Sequence, residues 1–79
     1  MFMKVDTKNS RYEIATIGTG EVRMYKVDEK SLSVEDTVFT CVHSWSLDAG
    51  RLRVVGRKGD EYGTLLTSTV RSMWCDTEA

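Results

Sequence analysis

The sequence contains no proline, one histidine and two cysteines among its 79 residues. Without proline, no stretch is marked as a linker by composition, and no repeat or low-complexity tract interrupts the chain. A chain of this length supports one small core. We therefore expect a single domain over residues 1–79, and multi-domain enzymes are excluded.

The sequence also lacks an excess of charge of either sign. Its 11 basic and 12 acidic residues give a net charge of −1, which creates no strong field to draw the protein to nucleic acid or anionic membranes. The longest uncharged run, residues 37–47, is about half of the roughly 20 residues that a membrane helix needs. The composition, 41% hydrophobic and 29% charged, is typical of a soluble globular domain, and no membrane partner is expected.

Cys41 and Cys75 are the two thiols of the chain. Residues 1–6 lack the apolar stretch of a secretion signal, so we expect a cytoplasmic protein with reduced thiols. A disulfide between Cys41 and Cys75 is the alternative, and it would need an oxidising compartment.

The chain is rich in β-branched and aromatic residues that alternate with polar ones, which is the period of a strand. Gly18 and Gly20 separate the first two such segments and allow a tight turn. The segments are residues 12–17, 21–27, 37–42, 51–55 and 61–74, of which the last is either a strand or partly a short helix.

These segments predict an all-β fold of five or six short strands. Closing so few strands into a barrel removes exposed sheet edges, whereas a β-sandwich generally needs about 100 residues. We therefore expect a small, strongly bent antiparallel barrel of the Src-homology-like or oligonucleotide-binding-like type.

Four segments carry a family resemblance. Residues 10–14 (SRYEI), 22–24 (VRM), 50–55 (GRLRVV) and 66–73 (LTSTVRSM) resemble the strand succession of a loose group of small uncharacterised β-rich proteins of actinobacteria and their bacteriophages. The resemblance covers residues 7–73. It implies a phage-encoded or accessory small-barrel protein, located in the host cytoplasm, and transfers no site residues.

The sequence offers little support for catalysis or for a metal. Cys41, His43 and Cys75 are residue types that bind zinc, but the paired spacings of zinc sites are missing. Residues 18–21 lack the order of a phosphate-binding loop, and a dyad with His43 would need a cleft that a small β domain rarely supplies. We expect no catalytic residue, no metal, no cofactor and no enzymatic activity.

Binding a protein partner is the function that the sequence favours. Trp, Tyr, Met and Arg are enriched at interface centres, and the chain has more large aromatic and methionine side chains than one small core readily holds. The expected contact surface contains Trp45, Leu47, Tyr25, Arg51 and Arg53, and the partner is a host factor or a second copy of the chain. For Trp45, packing in the core is the alternative, and Trp74 is expected to close the barrel.

Nucleic-acid binding is the second hypothesis. Small barrels bind single strands with a basic stripe and stacking aromatic side chains, for which Tyr25, Trp45 and Tyr62 are available. The candidate basic residues are Arg51, Arg53, Arg57, Lys58 and Arg71. The competing interpretation is that these charges keep an exposed strand soluble.

Overall fold

A computed structural model describes residues 1–28 and 30–76 of the chain. Seven strands and no helix form in this part: β1 (Phe2–Thr7), β2 (Arg11–Thr16), β3 (Val22–Val27), β4 (Val34–Phe39), β5 (Cys41–Asp48), β6 (Arg51–Lys58) and β7 (Glu61–Asp76). They pair in the order β4-β3-β2-β1-β7-β6-β5, with every neighbour antiparallel. The sheet curls into an open half-barrel, which confirms the all-β class and the bent antiparallel architecture.

The strand count is seven rather than five or six, because an additional strand forms near the N-terminus and one predicted strand is divided in two. Residues 2–7 form a full strand whose alternate side chains, Met3, Val5 and Thr7, are buried. The predicted strand 37–42 is interrupted at Thr40, where β4 ends and β5 begins. Each half of that segment pairs with a different neighbour, β3 for β4 and β6 for β5.

The corner at Thr40 is held by hydrogen bonds to the end of β6. The Thr40 N–H and hydroxyl both donate to the Arg57 carbonyl, at 2.8 and 3.1 Å, and the Gly59 N–H donates to the Thr40 hydroxyl at 3.0 Å. Gly56 makes the close approach possible, since a Cβ at this position would lie 2.5 Å from the Cys41 carbonyl oxygen. Glycine there therefore allows the chain to turn from one sheet edge to the other.

The last segment, left open between strand and helix, is the single long strand β7. Residues 61–69 pair with β6, and residues 70–76 pair with β1. A bulge opposite Leu52 joins the two parts, and there the buried Thr67 hydroxyl accepts a hydrogen bond from the Leu52 N–H at 3.0 Å. One strand thus bends through both halves of the sheet.

The core lies on the inner face of the curled sheet, and all seven strands except β5 and β7 contribute a buried apolar side chain to it. Its members are Met3, Val5, Tyr12, Ile14, Met24, Phe39, Leu52 and Val54. Trp74 does not close the barrel as predicted, because it lies directly opposite Lys4 on the outer face and is exposed. The described part of the chain contains no helix of the length and apolar character needed to cross a membrane.

Candidate functional site

The β5–β6 hairpin is closed by a two-residue loop, Ala49–Gly50, in which both residues have positive φ angles of 50° and 78°. This is the conformation of a type I′ turn. In such a turn the two flanking residues, here Asp48 and Arg51, form backbone hydrogen bonds with each other. Because such pairs alternate along an antiparallel ladder, the backbone groups of Trp45 and Leu47 point away from β6. The Leu52 N–H, opposite Leu47, correspondingly points to Thr67 on the other side of β6.

The side chains of Trp45 and Leu47 lie on the inner face of the sheet. Trp45 is directly opposite Val54, and Leu47 is directly opposite Leu52, and opposed residues share a face. Leu52 and Val54 are completely buried, whereas Trp45 is 42% and Leu47 56% exposed. The apolar core therefore extends to the open edge of the half-barrel at these two residues.

The exposed part of β5 carries almost no charge. From His43 to Asp48 every residue is exposed, and Asp48 is the single Asp, Glu, Lys or Arg residue of the strand. Among the described strands β5 pairs with β6 alone. Residues 44–48 therefore form an open sheet edge, called here the β5 edge. Its unpaired backbone groups are those of Trp45 and Leu47.

The structure divides the predicted protein-contact residues into three places. Trp45 and Leu47 lie together on the inner side of the β5 edge, while Arg51 and Arg53 occupy the outer face of β6. Tyr25 is half-buried on β3, opposite Glu13, in the other half of the sheet. The side chains expected to form one surface therefore lie on two faces of one hairpin and on a third strand, β3.

The predicted basic stripe is partly neutralised within the protein. Arg57 pairs with Glu21 at 3.4 Å, Lys58 pairs with Asp36 at 3.8 Å, and the Arg51 Nε donates to the Thr67 carbonyl at 2.6 Å. Arg53 and Arg71 are exposed and have no ion-pair partner in the described residues. Three of the five side chains therefore already have partners within the protein.

An aromatic pair lies beside this stripe on the outer face. The rings of His43 and Tyr62 stack with centroids 5.7 Å apart and an interplanar angle of 21°. Tyr62 is 74% exposed and lies directly opposite Arg57. The stacking of Tyr62 on His43 is not predictable from the sequence, because the bulge between Val42 and Ser44 has no recognisable signature there.

A groove on the outer face was not predicted at all. It encloses about 270 Å³, and its lining includes Lys4, Asp6, Arg11, Glu13, Leu32 and Trp74. Arg11 and Asp6 form an ion pair at 3.6 Å. The walls come from strands far apart in the sequence, so no local motif indicates the groove.

The loop that carries Leu32 is ordered by Asp28. The Asp28 carboxylate accepts hydrogen bonds from the Ser31 hydroxyl at 2.8 Å and from the Lys30 N–H at 3.1 Å. These two donors, the Ser31 hydroxyl first, hold the pKa of Asp28 below its ordinary value. Leu32 has a φ of 57°, a conformation that is strained for a leucine.

The two cysteines are not joined. Cys41 is half-buried on β5, Cys75 is exposed near the end of β7, and both are free thiols. Within residues 1–28 and 30–76, no three side chains of the His, Cys, Asp or Glu type come together in a way that could hold a metal ion.

No family model, curated protein or solved structure matches this chain. The resemblance to small actinobacterial and phage proteins therefore stays a prediction. Inference about function depends on the geometry of the described residues alone.

Proposed function

We propose that the protein is a non-enzymatic protein-binding module and that the β5 edge is its docking site. One observation carries the proposal: Trp45 and Leu47 direct their unpaired backbone groups toward the open edge while their side chains continue the apolar core out to solvent. A sheet edge with this combination binds an extended segment as an added strand, in which backbone bonds supply affinity and alternate side chains supply specificity.

The chemistry of the edge defines its partner. An uncharged extended segment with apolar side chains at alternate positions would place those side chains over Trp45 and Leu47. Arg51 and Arg53 lie on the opposite face of the hairpin, where they favour polar or acidic side chains at the intervening positions of the partner. Tyr25 lies on β3, opposite Glu13, and is not one of the residues of the β5 edge.

The resemblance of residues 10–14, 22–24, 50–55 and 66–73 supports a biological setting for this module. We propose a phage-encoded accessory protein that modulates a host factor in the host cytoplasm. For the fold, we propose a Src-homology-like or oligonucleotide-binding-like relationship, in which a long bent strand such as β7 serves both halves of the sheet.

A matched pair of variants tests the docking edge. Leu47→Lys places a charge on the β5 edge, and Val34→Lys places the same charge on an equally exposed residue, 56% in both cases, of the other edge strand. Each immobilised chain is exposed to a bacterial lysate, and folding is checked by circular dichroism. We expect wild type and Val34→Lys to capture the same proteins and Leu47→Lys to lose them.

Amide hydrogen exchange locates the contact. A captured partner, once purified, should slow exchange of the Trp45 and Leu47 amides relative to the single chain, in which they are unpaired. Capture that is insensitive to Leu47→Lys, or protection confined to other strands, would contradict the proposal.

Nucleic-acid binding remains the second candidate, on the outer face. Tyr62 is the most exposed large hydrophobic side chain in the described residues, at 74%, and it lies directly opposite Arg57, four residues along the strand pair from the row that contains Arg53. An exposed ring on a face that also carries arginines is suited to stacking on a base. Arg51, Arg57, Lys58 and Arg71 are the further candidates for phosphate contacts.

Titration with a single-stranded oligonucleotide, followed by NMR at low and moderate salt, tests this candidate. We expect shifts at Tyr62 and Arg53 that weaken steeply as salt rises and that Tyr62→Ala removes. The absence of shifts at low salt would eliminate this function and leave the β5 edge unaffected.

A further inference from the structure

We infer that, in the protein on its own, the occupant of the β5 edge is a second copy of this chain. The two β5 strands pair antiparallel about a two-fold axis at Ser46, which joins two half-barrels into one continuous sheet. This inference rests on the proposed docking edge and names its partner.

The direction of the backbone groups restricts the register. Trp45 and Leu47 are the residues of the β5 edge whose N–H and C=O groups point outward, so only they can form hydrogen bonds with an added strand. Placing Ser46 opposite Ser46 of the partner subunit sets Trp45 opposite Leu47 of the partner subunit, and the reverse. Each of these two pairs exchanges both of its backbone bonds, so no outward group near the axis is left without a partner.

The side chains are complementary in the same register. Because Trp45 and Leu47 share the inner face, each aromatic ring would contact an aliphatic side chain across the interface, a pairing that stabilises sheets. Both contacts continue the rows formed by Val54 and Leu52 inside each half-barrel. The surface thereby removed from water includes two side chains that are 42% and 56% exposed in the single chain.

Charge favours the antiparallel arrangement and this edge. Asp48, the single charged residue of β5, would lie opposite Ser44 of the partner subunit, and the two Asp48 carboxylates would lie at opposite ends of the paired strands. Parallel pairing would instead bring them side by side. The β4 edge carries Glu35 and Asp36, whose like charges would face each other in a self-pair.

Site-specific disulfide formation tests the register. In a Cys41→Ser, Cys75→Ser background, Ser46→Cys places two thiols across a non-hydrogen-bonded pair, where Cα atoms are about 4.5 Å apart, within the range that a disulfide spans. The control is Ser44→Cys in the same background, whose two thiols would be offset by four residues, roughly 13 Å along the strand. Circular dichroism confirms that each variant is folded.

We expect Ser46→Cys to form a covalent dimer under mild oxidation with oxidised glutathione, and Ser44→Cys to stay uncrosslinked. Adding Leu47→Lys should abolish the crosslink. Analytical ultracentrifugation of the unmodified chain should show a dimer that Leu47→Lys converts to a monomer.

A monomer at every concentration, or crosslinking of Ser44→Cys as fast as Ser46→Cys, would overturn the two-fold pairing. The proposed docking edge fails separately. If the unmodified chain is monomeric but Leu47→Lys still abolishes capture of proteins from the lysate, only self-pairing is wrong. If Leu47→Lys captures the same proteins as wild type, the β5 edge is not a docking site.

Discussion

The two edge strands of the half-barrel, β4 and β5, start from the same corner at Thr40 but differ in how they face solvent. β4 carries Glu35 and Asp36, and Asp36 is paired with Lys58 at 3.8 Å. The exposed part of β5 has no charge before Asp48 and presents Trp45 and Leu47. Since charged residues on an edge discourage pairing with other chains, the comparison indicates that β4 is protected and β5 is available.

The uncharged run at residues 37–47 crosses this corner and has two different environments. Its first part ends at Phe39, which is buried against the glycines of β6 and β7. Its last part, residues 44–47, is exposed. An uncharged run in a small β protein therefore signals either a core strand or an interface, and the position of the bend decides between them.

The largest expected effect breaks the corner that both edges share. Gly56→Ala places a Cβ 2.5 Å from the Cys41 carbonyl and 3.0 Å from the Phe39 ring, so the backbone must shift. We expect a loss of about 2–3 kcal/mol in the free energy of unfolding, or a fall of about 10–20 °C in Tm, measured by thermal denaturation.

The control for this change is the glycine directly across the strand pair. Gly63→Ala meets the Phe39 ring at 4.0 Å, an ordinary contact, and should leave Tm nearly unchanged. Equal losses in the two variants would show that the corner does not depend on close approach at Gly56.

A smaller effect is expected at the β5 edge itself. Trp45→Ala removes a ring that is 42% exposed, so its cost is about 1–2 kcal/mol and the protein stays folded. The Tm of wild type should rise with protein concentration because dimer formation stabilises the folded state, and this dependence should vanish in Trp45→Ala. Loss of all cooperative unfolding would show instead that Trp45 is a core residue.

Removing the charges of β4 should make the two edges alike. The double variant Glu35→Thr, Asp36→Thr loses the exposed ion pair with Lys58, which costs less than about 1 kcal/mol. With both edges open, the chain should form oligomers larger than a dimer, detected by light scattering. A size distribution identical to wild type would mean that charge is not what protects β4.

The smallest effect is confined to the loop before β4. The hydroxyl of Ser31 and the N–H of Lys30 lower the pKa of Asp28 in the folded state, so this contribution is fully present above the ordinary value of 3.8 and is lost as pH falls through the lowered folded pKa. The Lys30 amide should shift in NMR spectra over that acidic range, and Asp28→Ala should remove the transition without changing self-association. A transition that persists in Asp28→Ala would assign it to another group.

Several features of the fold could be predicted from alternation and glycine spacing. Strands β2 and β3 and the turn at Gly20, whose φ is 86°, follow from local patterns. β1 is not predicted from the sequence, because Met3, Val5 and Thr7 form only a short alternating pattern close to the N-terminus. The predicted strand 51–55 is shorter than β6, since Gly56 lies within this strand for packing rather than for a turn.

The candidate site was only partly predictable, because the sequence does not show which face of the sheet each side chain occupies. Trp45 and Leu47 could be selected as exposed from their polar neighbours, but Arg51, Arg53 and Tyr25 could not be assigned to faces. A single bulge reverses which face a side chain occupies, and bulges occur between Val42 and Ser44 and between Arg51 and Arg53. The stacking of His43 on Tyr62 depends on the first of these.

The sequence by itself determined that this is a small all-β protein without a strong charge, because strand periodicity, turn glycines and composition are local properties. The tertiary structure decided where the sheet ends, since edges arise only from the order in which strands pair. It also decided that the backbone groups of Trp45 and Leu47 point outward. Which residues of β5 direct their backbone groups toward β6 depends on the turn at Ala49–Gly50 and on the strand that pairs with β5. Neither can be deduced from the residues that form the edge.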